Sequence, residues 1–264
     1  MTDSTVVHRA VACLEDERAD VADRASALET FARQVRDVPT ASGPAQAAVA
    51  VPATPKAMAT AVGSAAATPK PPDDRCATVR EAFVDTVEPH TIAADDDSLG
   101  KTMAAELSEE IAVSLAAEAD WTPALKRAVL EEIETQRRKT VLLEETLQRE
   151  RRTLEEAIDE IDEIVAWLRT TADESLLQCG FDDLHEKHGC LEAHRDRLET
   201  LIDDRQRQFS GETNPRGTAD YRGLVAAIYA DLSVQYPLLS TATRLYGICG
   251  DCQRTVRAHL ARRV

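Results

Sequence analysis

VLEEIETQRRKTVLLEETLQRERRTLEEAIDEIDEIVAWL, from Val129 to Leu168, decides the fold class. Alternating steps of four and three residues pass through Val129, Ile133, Gln136, Thr140, Leu143, Leu147, Glu150, Leu154, Ala157, Ile161, Ile164 and Leu168. That heptad spacing keeps one stripe on one side of a helix, and the stripe requires other helices beside it. Leu130, Ile158 and Val165 flank the seam and widen it, which favours three or four helices in contact over a simple pair. Thr122 supplies an N-cap and Pro123 takes the first helical position, where its missing N–H costs nothing. The pattern predicts a helix from there to about Arg169, roughly 70 Å long.

Outward from this stretch the same spacing recurs. Val7, Val11, Leu14, Arg18, Val21, Ala25, Leu28, Ala32 and Val35 predict a first helix over Ser4 to Val38. Met103, Leu107, Ile111 and Leu115 predict one helix from Leu99 to about Ala119, capped by Ser98. A short helix is expected over Thr78 to Val87. Phe181, Leu184, His188, Leu191, Arg195, Leu198, Ile202, Arg205 and Phe209 form a further seam. Asp220 to Leu232 predicts a shorter helix. A last one starts at Pro237, with Leu238, Ala242, Leu245, Cys249, Cys252, Val256 and His259 on its seam. The fold class is therefore all-α: an elongated antiparallel helical bundle with coiled-coil-like heptad packing.

Residues 39–73 are different material. Pro39 to Pro72 holds seven of the eleven prolines and carries only Lys56 and Lys70 as charges. It predicts a disordered Pro/Ala/Thr-rich linker. The expected organisation is an N-terminal amphipathic helix (1–38), this linker (39–73) and the bundle (74–264), with the first helix as a mobile or oligomerising arm.

Composition narrows the function classes. The net charge is −16, with 47 acidic residues and only 6 lysines among the 31 basic ones. Such acidity opposes binding to phosphate backbones. A carboxylate-rich surface with arginine preferred over lysine matches a halophile's protein. No run of 18 apolar residues and no secretory leader pattern occurs, so the expected location is cytoplasmic, away from any membrane. Six cysteines in a chain of 264 residues do not make a disulfide scaffold.

Chemistry-bearing motifs are few. Cys249-Gly250-Asp251-Cys252 has the spacing of a zinc or redox pair, although both cysteines also fit the apolar seam. Cys179, His185, His188, Cys190 and His194 lie on or beside the neighbouring helix. Cys249, Cys252, His188 and His194 form the candidate metal site, with zinc as the ion. The spacing matches no zinc-finger pattern, and HEKH lacks the spacing of zinc proteases. Gly247 and Gly250 suggest a kink or a close helix approach. Arg137, Arg138 and Lys139, with Arg149, Arg151 and Arg152, form basic clusters; base-stacking aromatics are missing beside them. Asp95, Asp96 and Asp97 lack the glycine and terminal glutamate of a calcium loop. Phosphate-binding and nucleophile-elbow motifs are absent, and no catalytic residue emerges.

VREAFVDTVEPH (79–90), AAELSEEIAVSL (104–115), TPALKRAVLEEI (122–133) and DLSVQYPLLSTATRL (231–245) resemble a haloarchaeal family of acidic helical proteins of unknown function. The resemblance covers roughly Ala77 to the C-terminus and the first helix. Pro89-His90 matches that family's Pro-His step, while Ile92 and Ala93 stand where a tyrosine is expected. It implies a helical fold and carries over no catalytic residue.

The expectation is a non-enzymatic scaffold or regulatory protein without a cofactor. It would act through helix–helix contacts with a protein partner or with itself. Gln136, Glu150, Arg18 and Arg195 on the seams would set register. The alternatives are a Cys/His metal-binding or redox-sensing protein, and a transcription-linked DNA-binding protein using the arginine clusters.

Overall fold

A computed structural model describes residues 5–40, 74–91, 98–117, 120–210 and 221–263. The described residues form α-helices and one short 3-10 turn, with no strand: α1 (Val6–Asp37), α2 (Arg75–Thr86), the 3-10 turn (Glu88–His90), α3 (Leu99–Leu107), α4 (Glu109–Ala116), α5 (Pro123–Ala172), α6 (Phe181–Phe209), α7 (Tyr221–Ile228) and α8 (Pro237–Leu260). The expected linker lies outside the described residues from position 41 onward, as do Asp95–Asp97 and most of the loop before α7.

The chain divides into two compact units. One is Met1–Ala19 with Leu143–Val264; the other is Asp20–Leu142. Helices α1 and α5 each give residues to both. Val7, Ala10 and Leu14 of α1 are buried in the first unit; Leu28, Phe31, Ala32 and Val35 are buried in the second. Thus α1 covers its apolar stripe within its own chain and is not a free arm.

In the first unit, three pairs of packed helices run in opposite directions. Along α5 and α6, Glu150 meets Arg205, Glu163 meets Arg197 and Trp167 meets His194. Along α6 and α8, Phe209 meets Tyr236 while Arg195 meets Gln253. Along α1 and α5, Glu15 meets Arg151 and His8 meets Asp162. The core is largely aliphatic: Leu147, Leu154, Ile161, Ile164, Leu191 and Leu198 are each at most 1% exposed.

In the second unit, Leu28, Phe31, Val79, Phe83, Leu107, Leu115, Trp121 and Ile133 form one core. Phe31 and Phe83 meet edge to face at 5.6 Å, an arrangement that suits the aromatic quadrupole. The start of α5 is fixed by its own sequence: Leu125 N–H donates to Thr122 Oγ1 at 3.1 Å. Lys126 Nζ donates to the carbonyls of Arg36 and Val38, covering acceptors that the end of α1 leaves open.

Two local expectations differ. The helix expected from Leu99 to Ala119 is broken at Ser108, where φ is 103°. Phe181, expected on a buried seam, is 50% exposed. It is the first residue of α6, where the helix has barely begun to pack. Instead its ring stacks on His185 at 6.2 Å.

Candidate functional site

The first unit buries a carboxylate, a guanidinium and two phenols together. Glu150 lies on the α5 seam and is fully buried; Arg205 lies on α6 and is 3% exposed. Tyr221 opens α7 and Tyr229 follows it. Glu150 Oε1 accepts from Arg205 Nη2 at 2.6 Å and from Tyr229 Oη at 3.0 Å. Glu150 Oε2 accepts from Tyr221 Oη. Arg205 Nη1 donates to Gln208 Oε1 at 2.9 Å and to Tyr221 Oη at 3.0 Å, and its guanidinium lies 4.4 Å from the Phe209 ring centre.

The electrostatics follow from burial. Burial, then the Glu150 charge, raises both Tyr221 and Tyr229 well above the ordinary phenol range. Burial works against the Arg205 charge, but the Glu150 carboxylate outweighs it and leaves Arg205 more basic than usual. Each group is committed to another within the cluster. Three donors meet the carboxylate, and both phenols stay protonated at neutral pH. This chemistry joins three segments of chain.

Other polar residues are paired too, some across helices and some within one, although Arg18, Arg24 and Arg195 each keep a buried Nε without a partner. Arg195 reaches α8, donating to Gln253 Oε1 at 3.0 Å and to Tyr246 Oη at 2.7 Å, with its guanidinium 4.5 Å from the Tyr246 ring centre. Arg24 of α1 grips Glu106 of α3 through two bonds of 2.9 and 2.7 Å. Gln136 Nε2 donates to Glu132 at 3.2 Å, and Arg18 pairs with Glu15 at 3.3 Å.

The candidate metal residues are distributed over different surroundings. His194 is buried edge to face on Trp167 of α5, with ring centres 5.0 Å apart. Neither of its ring nitrogens has a hydrogen-bond partner. Burial, then the nearby Arg197 charge, holds its pKa below the usual imidazole value. Arg195, the next residue, is directed to α8 instead. His188 is half-buried on α6. On α8, Cys249 is fully buried and Cys252 half-buried. Burial, then the neighbouring Cys252, pushes the Cys249 thiol up to about 11, away from the thiolate that metals and disulfides require. Among the described residues, no three or more His, Cys, Asp or Glu side chains stand close enough to hold an ion.

Three residues of the basic clusters meet acceptors on α5 or α1. Arg137 pairs with Glu134 at 3.3 Å, Arg138 donates to Thr135 at 3.1 Å, and Arg151 pairs with Glu155 at 2.8 Å and with Glu15 at 3.0 Å. Among the described residues, no helix is long and apolar enough to cross a membrane.

Sequence reasoning marked Glu150 and Arg205 only as polar members of two seams, and missed Tyr221 and Tyr229. One signal was available. Three of the four tyrosines fall between positions 221 and 236 in a chain poor in aromatics, and a buried tyrosine needs a partner for its hydroxyl.

The model of a domain of unknown function, DUF7260, matches residues 5–253. The chain belongs to that family. The DUF7260 match begins at the start of α1 and ends within α8, so it takes in the second unit, most of the first and the whole buried cluster. No curated protein and no solved structure matches the chain.

Proposed function

We propose that this DUF7260 protein is a non-enzymatic scaffold or regulatory protein that acts through helix–helix contacts with a protein partner or a second copy. One observation carries the reading: large apolar side chains stand out on helix surfaces and at a helix turn. Leu177 is 73% exposed and Phe181 50% exposed where α5 turns into α6; Val113 on α4 is 61% and Val141 on α5 is 53% exposed. The buried Glu150–Arg205 pair and the part-buried Glu106–Arg24 pair support it from the other side, since these hydrogen bonds close within the fold. Isolated surface apolars are common, but a pair at the tip of a helical hairpin makes a compact anchor for another helix.

A photo-crosslinking residue at position 181 of the full chain tests this in extract of the source cells. The expected result is a discrete crosslinked species that is absent when the same residue replaces exposed Glu192. Equal, diffuse labelling from both positions refutes the proposal.

A further inference from the structure

The joint between α3 and α4 is a single exposed residue in a backbone conformation that serine rarely adopts. Ser108 has φ 103° and ψ 153°, a region open essentially to glycine alone. The adjoining sequence points both ways: Ser108 followed by Glu109 and Glu110 has the make-up of a helix start, with the serine as N-cap. From Lys101 to Leu115 there is no proline or glycine, and Met103, Leu107, Ile111 and Leu115 keep the spacing of one continuous helix. All four are buried.

The bend is held from outside by two arginines of other helices. Arg24 of α1 grips Glu106, two residues before the joint, through both carboxylate oxygens at 2.9 and 2.7 Å. Arg80 of α2 donates to the Leu115 carbonyl in the last turn of α4, where helical carbonyls lack partners. Each arm of the joint thus carries its own pin. Ser108 adds a partial local compensation, with its Oγ accepting from Ile111 N–H at 3.4 Å.

We infer that the α3–α4 joint is a hinge, held bent by Arg24 and Arg80, whose alternative is one unbroken helix over residues 99–116. Straightening removes the strain at Ser108 and gives the first-turn amides of α4 acceptors at Ala105, Glu106 and Leu107. It also carries Ile111 and Leu115 out of the core, which is why the bent form prevails while both pins hold. The inference does not depend on the use of Leu177 or Phe181.

Hydrogen exchange of the full chain, resolved at Glu109 and Glu110, tests it. In the parent protein these amides exchange fast. Arg80→Gln and, separately, Ser108→Ala should slow them by about tenfold or more, because both changes favour the unbroken helix. Ser108→Gly, which relieves the bent form, should leave them fast and should reverse the effect of Arg80→Gln. If Arg80→Gln unfolds Asp20–Leu142, the surface change Ser108→Ala decides alone. Exchange in Ser108→Ala as fast as or faster than in the parent overturns the hinge.

Discussion

Among single residues, Glu150 bears most on stability. A fully buried carboxylate is costly unless its charge and lone pairs are met, and Arg205, Tyr221 and Tyr229 meet them. Glu150→Ala leaves Arg205 buried without its counter-charge and should cost about 3–5 kcal/mol in urea unfolding. Glu150→Leu with Arg205→Met removes both charges together and should recover most of that loss. A double variant as unstable as Glu150→Ala would show that the cluster does more than satisfy its own charges. His194 supplies the pH dependence. Its folded pKa is lowered, so the folded state favours the neutral ring. Its contribution is complete above the unfolded value of about 6.5 and is lost as pH falls below that, until the folded ring also protonates. Between about pH 7.5 and about pH 5.5 the parent should therefore lose more stability than His194→Leu does, as measured by urea midpoints at each pH.

At the scale of elements, periodicity was legible and pairing was not. Along α5, Val129, Ile133, Gln136, Thr140, Leu147, Glu150, Leu154, Ala157, Ile161 and Ile164 are all buried, as the heptad spacing requires. The caps at Thr122 and Pro123 and the start of α8 at Pro237 were equally readable, because they depend on neighbouring residues alone. The break at Ser108 was harder to read: Ser108, Glu109 and Glu110 have the make-up of a helix start, but Met103, Leu107, Ile111 and Leu115 keep the spacing of one unbroken helix. The Glu150 cluster was half visible: the seam named its charges, but only tertiary packing brings α7 and its tyrosines to them. Gly247 and Gly250 suggested a kink or close approach, yet α8 runs unbroken through both. Nothing lies within 4 Å of a methyl placed at Gly247, and at Gly250 only Arg195 Nε approaches, at 3.9 Å. Gly247→Ala should stabilise the protein by about 1 kcal/mol through helix propensity. A destabilising Gly247→Ala would mean that this glycine meets a surface outside the isolated chain.

For the whole molecule, charge and apolar surface act at different ranges. A net charge of −16 places the chain under self-repulsion, which salt screens as the Debye length falls from about 10 Å at 0.1 M to about 3 Å at 1 M. Paired groups such as Arg197 with Glu160 and Glu163 are weakened by the same screening. Repulsion should dominate given the excess of acidic residues, so the thermal midpoint should rise over that salt range; a falling midpoint would assign the larger role to the ion pairs. Under the proposed function, the chain offers apolar helix surface to another protein or copy. The most direct test compares capture from source-cell extract by the tagged parent and by Leu177→Ser/Phe181→Ser, with self-association followed by light scattering. The expected result is a near-stoichiometric companion, or a defined self-assembly, that the double variant loses while its unfolding midpoint stays unchanged. The same companion and the same mass from both proteins would contradict it.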